Sequence, residues 1–135
     1  MAYIEWEDSF SVGVDIFDNE HKKLIEIINR LHLALLMKET DAVMGKTLKD
    51  LIDYTITHFA HEEENMANQT YPDFFKHKKE HDELIKKVQD YKMQIESGKT
   101  TISLSIMNFL KEWLMSHILG TDMKYRNFFA GKNLN

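Results

Sequence analysis

The stretch His58-Phe59-Ala60-His61-Glu62-Glu63-Glu64-Asn65-Met66 constrains this chain more than any other. It continues an apolar stripe at helical spacing, Leu48, Leu51, Ile52 and Thr55, and puts His58 and Glu62 on the same stripe. Residues four apart on a helix lie about 40° apart in azimuth and roughly 6 Å apart along the axis. The inward face of this helix therefore turns from hydrocarbon into metal-ligand chemistry. A buried carboxylate is costly unless it is paired or coordinates a metal. Other helices are expected to bring partners to the same depth.

The rest of the chain supplies such helices. Residues 1–17 read as an extended or irregular arm, with Trp6, Phe10, Val12, Val14, Ile16 and Phe17 apolar around Gly13. A first helix is expected from about Asp18, a suitable N-cap, to Lys38, with His21, Leu24, Ile25, Ile28, Leu31 and Leu35 facing inward. A second is expected over 41–68. The Gln69-Thr70-Tyr71-Pro72 break follows, and proline suits the first turn of a third helix over 72–96. Its face is Phe74, His77, His81, Leu84, Ile85, Val88 and Ile95, and Ser97-Gly98-Lys99 forms a C-cap pattern. A fourth, over 101–123, carries Ile106, Phe109, Leu110, Trp113, Leu114 and His117 inward. The end, 131–135, is expected to fray. Short connections make neighbouring helices antiparallel, so the predicted fold is all-α: an up-down-up-down four-helix bundle with an N-terminal arm, in one domain over 1–135.

Composition closes off other classes. The 135 residues carry a net charge of −5, without the basic face of a nucleic-acid binder. No apolar run approaches the roughly 18 residues of a membrane span, and the first residues lack the basic and apolar regions of a signal peptide. A cytoplasmic monomer is expected. There is no cysteine, which removes disulfides, thiolate zinc sites and iron–sulfur clusters.

Five of the seven histidines fall on the inward stripes: His21, His58, His77, His81 and His117. Any one alone is more often a hydrogen-bonded core residue. Their depth argues otherwise. His21 opens the first helix, His58 and Glu62 lie late in the second, His77 and His81 open the third, and His117 closes the fourth. In an antiparallel bundle these positions share one end. His32 returns to nearly the azimuth of His21 but about 16 Å further along, so it reads as a core or boundary residue. His61 is rotated about 60° from His58, and is expected to be exposed or to stand behind the ligands.

Spacing leaves the second carboxylate open. Asp122 follows His117 by five residues, about 140° away on an ideal helix. The two share a face only where the helix widens or ends, and Gly120 between them permits a π-bulge, a feature concentrated at functional sites. Five imidazoles and two carboxylates exceed one zinc ion, which takes four ligands. They suit two ions that favour six-coordination by mixed nitrogen and oxygen donors, and iron fits best. A ferritin-like site needs Glu-x-x-His motifs, and no glutamate here has a histidine three residues later. A zincin is excluded because position 65 is Asn65, not histidine.

These residues resemble the hemerythrins in their single-domain bacterial form, over nearly the whole chain. The matching parts are Trp6 with Ser11-Val12-Gly13-Val14, Asp18-Asn19-Glu20-His21, His58-Phe59-x-x-Glu62-Glu63-x-x-Met66, His77-x-x-x-His81, and His117-Ile118 with Asp122. The resemblance implies a non-haem di-iron centre. His77, His81 and His117 would hold one iron; His21 and His58 would hold the other, which keeps an open position. Glu62 and Asp122 would bridge both irons beside an oxo or hydroxo group. Dioxygen would bind reversibly at the open position, in a pocket lined by Leu24, Phe59, Trp113, Ile118 and Leu119. The implied function is an oxygen carrier or store. The alternatives are an oxygen or redox sensor, and a di-iron oxidase or a scavenger of peroxide or nitric oxide. Any protein partner is left open.

Overall fold

The computed structural model describes residues 2–132 and 134. Four long helices form the body: α1 Asp15–Leu36, α2 Asp41–Asn68, α3 Phe74–Glu96 and α4 Leu104–Ser116. After α4 the chain passes through a π-helical turn at His117–Thr121, a 3-10 turn at Asp122–Tyr125 and a last short helix, α5, Arg126–Phe129. α2 packs between α1 and α3, and α1 also touches α4. The start of α1, the end of α2, the start of α3 and the end of α4 meet at one tip, so neighbours run antiparallel.

Helix ends follow local chemistry. The Thr40 hydroxyl accepts from the Val43 amide and the Ser103 hydroxyl from the Ile106 amide, capping α2 and α4. α3 closes with Gly98 at φ 75° and the Lys99 amide bonded back to the Gln94 carbonyl at 2.9 Å. α1 and α2 close in the same way, with Lys38 and Thr70 in the left-handed position.

Several expected bounds move. Asp18 is not an N-cap. α1 begins at Asp15, and the buried Asp18 carboxylate accepts from the Val12 amide (2.8 Å) and the Ser11 hydroxyl (2.6 Å), tying the arm to the helix. The arm therefore ends at Val14 rather than residue 17. It includes a 3-10 turn at Asp8–Phe10, and Ile4 and Val12 are buried in the core. Pro72 lies in the turn ahead of α3, and regular α-helix in α4 stops at Ser116 instead of 123. The expected fraying of 131–135 falls partly on residues 133 and 135, outside the described residues. Leu24, Ile28, Leu31, Leu48, Leu51, Ile52, Leu84, Val88, Ile106, Leu110 and Leu114 form the core below the tip. Among the described residues, no helix is long and apolar enough to cross a membrane.

Candidate metal centre

α1 and α2 present His21, His58 and Glu62 from regular helical turns, and α3 presents His77 and His81 one turn apart. α4 has to distort. In its π turn the backbone runs wide, so His117 and Asp122, five residues apart, come to one side. All seven side chains are no more than 3% exposed.

The seven form two groups whose potential ligand atoms lie within 4.8 Å of one another: Glu62, His77, His81, His117 and Asp122; and His21, His58, Glu62 and Asp122. Both carboxylates belong to both groups. All five Nε2 atoms face carboxylate oxygen. His77 and His117 lie 2.8 and 2.9 Å from Asp122 Oδ1, and His21 lies 3.0 Å from Asp122 Oδ2. His58 and His81 each lie 3.3 Å from Glu62 Oε1.

Few of these contacts are well-aligned hydrogen bonds. Nine buried atoms find no aligned partner: both ring nitrogens of His21 and His77, His58 Nε2, His117 Nδ1, Glu62 Oε1 and both oxygens of Asp122. Lone pairs converging without donors between them suit a cation. Without one, protons balance the charge. Burial works against charged imidazoles, yet the nearby carboxylates raise His21, His81 and His117, the last to about 10. Burial and Asp122 push Glu62 upward, but His58 and His81 outweigh them and hold it at about 2.

Outer carboxylates fix three of the rings. Glu20 reaches His58 Nδ1 at 2.6 Å, Glu63 reaches His81 Nδ1 at 2.8 Å, and Glu80 stands 3.5 Å from His117 Nδ1. The His117 imidazole holds Glu80 down to about 2, and the Thr121 hydroxyl donates to it at 2.8 Å. His61 is half-buried and shares Glu20 with His58, at 2.8 Å. His32 is remote from the centre; it stacks on Tyr3 with ring centroids 4.0 Å apart. Sequence reasoning gave Glu20 and Glu63 no role, although both adjoin proposed ligands. It missed Glu80 and Tyr125 altogether. Tyr125 donates to Glu62 Oε2 at 2.6 Å.

An apolar cavity of about 30 Å³ adjoins the centre. Of the five residues assigned to the oxygen pocket by resemblance, Leu24, Phe59 and Trp113 line this cavity and Ile118 and Leu119 do not. Leu119 is two residues past the inward His117, faces outward and is 46% exposed. Ile118 is buried within the π turn. Phe59 stacks on His81 (3.7 Å between ring centroids) and Trp113 on His117 (4.4 Å).

Fold and site together define a class: a cation-binding four-helix bundle whose buried histidines are joined by shared carboxylates. The chain belongs to the hemerythrin family, whose HHE cation-binding domain matches residues 12–128. It is 38% identical to a bacteriohemerythrin of Stenotrophomonas maltophilia over 93% of this chain and 80% of that one. It is 32% identical to a bacteriohemerythrin of Methylococcus capsulatus over 93% and 95%. The crystal structure of a wild-type hemerythrin superposes with a TM-score of 0.89 at 31% identity, covering 93% of this chain and 97% of that one.

Proposed function

We propose that this chain binds dioxygen reversibly at a non-haem di-iron centre and serves as a carrier or store. The observation that carries the proposal is the unequal sharing of donors: three histidines in one group, two in the other, and both carboxylates common to both. One zinc ion would leave donors unused, whereas two irons, which favour six-coordination, would find fewer protein donors on the two-histidine side. An iron pair bound there would supply the two electrons that reversible oxygen binding draws on.

The chain's own residues do the rest. His77, His81 and His117 would hold one ion and His21 and His58 the other, with Glu62 and Asp122 shared. Neutral imidazoles donate less charge than a glutamate-rich set, which disfavours high-valent iron and O–O cleavage. The cavity lies below both groups: Leu24 is three residues beyond His21 and Thr55 three before His58, while Leu84 is three beyond His81 and Leu114 three before His117. Its hydrocarbon walls admit a small apolar gas and keep out the water and protons that promote irreversible oxidation. Ile85 on α3 and Trp113 on α4 are the most exposed of its lining residues, both half-buried.

One contact favours a second reading, oxygen or redox sensing. Asp18, which ties down the arm, is one turn from His21, so a shift at the centre has a short path to the arm. Protease cleavage of the arm that changes with oxygen would support it.

The carrier reading is tested by loading the chain with iron, reducing it without air, and following absorption through cycles of oxygenation and deoxygenation. Two irons per chain and a colour that appears and disappears with oxygen are expected. Irreversible oxidation at each exposure would overturn the reading.

A further inference from the structure

Tyr125 is fully buried, 0% exposed, and lies three residues beyond Asp122. In the 3-10 turn that joins them, residues three apart eclipse one another, so Tyr125 is carried to the face of Asp122. Its hydroxyl donates to Glu62 Oε2 at 2.6 Å. Its ring lies nearly parallel to His77, with centroids 5.8 Å apart and planes at 11°, and is packed by Phe17 and Phe129 at 5.6 and 5.0 Å. The two shared carboxylates are thus unequal. Glu62 has a neutral donor on one oxygen, while among the described residues the ion-pair partners of both Asp122 oxygens are imidazoles.

We propose that Tyr125 is a positioning residue that fixes Glu62 in its shared orientation and tempers its charge, favouring the reduced metal pair. This rests on the di-iron reading. A hydrogen bond to a carboxylate draws negative charge away from the metal side, and a less negative ligand stabilises trivalent iron less than divalent iron.

The test is Tyr125→Phe, which removes the hydroxyl and keeps the ring. Cobalt(II) titration of the metal-free chain should still give two ions bound, with weaker affinity. In the iron-loaded variant, the ratio of oxidised to reduced centre at a fixed applied potential should rise by about threefold to tenfold, because only the part of the hydrogen bond's strength that differs between the two oxidation states counts. Placing 3-fluorotyrosine at 125, a stronger donor of similar size, should lower that ratio; this arm also decides if the phenylalanine variant folds poorly. A ratio within about twofold of wild type in both forms would overturn the proposal. Fewer than two cobalt ions in the wild-type chain would instead overturn the di-iron reading beneath it.

Discussion

α3 and the end of α4 supply the same chemistry by opposite means. In α3, His77 and His81 sit four apart on an unbroken helix with ring centroids 4.6 Å apart, and the backbone needs no adjustment. At the end of α4, His117, Asp122 and Tyr125 are five and then three apart, and each step uses a different helix: π, then 3-10. A regular helix offers neighbours only at three and four. A carboxylate that serves both ligand groups, with a tyrosine behind it, calls for a face that α-geometry does not provide. Gly120 is not what makes the distortion possible: its φ is not positive, and a Cβ there would meet nothing within 4 Å. The packing of Tyr125 against Phe129 holds the turn, and the Arg126 guanidinium donates to the Ser11 carbonyl of the arm at 3.2 Å.

The largest effect is expected where the comparison is broken outright. Asp122→Ala removes a donor from both groups and should leave at most one cation per chain, whereas His77→Ala touches one group and should leave the two-histidine group occupied. Metal analysis after dialysis separates the two, and equal losses would show that the groups are not distinct.

Next comes the pH dependence of the metal-free chain. Burial opposes the charge on His117, but Asp122 raises it from 6.5 to about 10. Its stabilisation is complete below about 6.5 and lost as pH climbs through about 10. Glu62, held at about 2 against an ordinary 4.5, stabilises fully above about 4.5 and loses this as pH falls through about 2. The melting temperature should peak between about pH 4.5 and 6.5. Two bound cations should abolish the alkaline decline, because metal replaces protons on the imidazoles, and steepen the acid one. A flat alkaline side in the metal-free chain would contradict this assignment.

Smaller effects come from the outer carboxylates. Glu20→Gln, acting at 2.6 Å on regular helix, should weaken cation binding by about a hundredfold, and Glu80→Gln, at 3.5 Å beside the π turn, by nearer tenfold. Competition against a coloured chelator would measure both; the reverse order would show that the distorted segment depends more on its support. Smallest of all, Gly120→Ala should stabilise the fold by about 0.5–1 kcal/mol in thermal denaturation and keep both cations. Loss of a cation would return the bulge to glycine.

The same contrast explains what could be read in the sequence. The bundle, the His58/Glu62 and His77/His81 pairs and the matched depth of His21 and His117 all rest on regular 3.6-residue spacing, which a sequence displays directly. Spacing reached Asp122 only by supposing a bulge, and the family resemblance supplied the rest; Leu119, which rested on that resemblance alone, turns outward. Tyr125 and Glu80 carried no signal of their own: one depends on a 3-10 turn, the other on the facing of α3 against the π segment. Asp18 has the chemistry of a helix cap, but it serves the arm from inside the helix, a tertiary use that local pattern does not show.

The most direct measurement is anomalous diffraction at the iron edge from crystals of the iron-loaded chain. Two adjacent peaks, each in contact with Glu62 and Asp122, with three histidines on one and two on the other, are the expected result. A single peak, or a pair that leaves Asp122 unbound, would contradict the account.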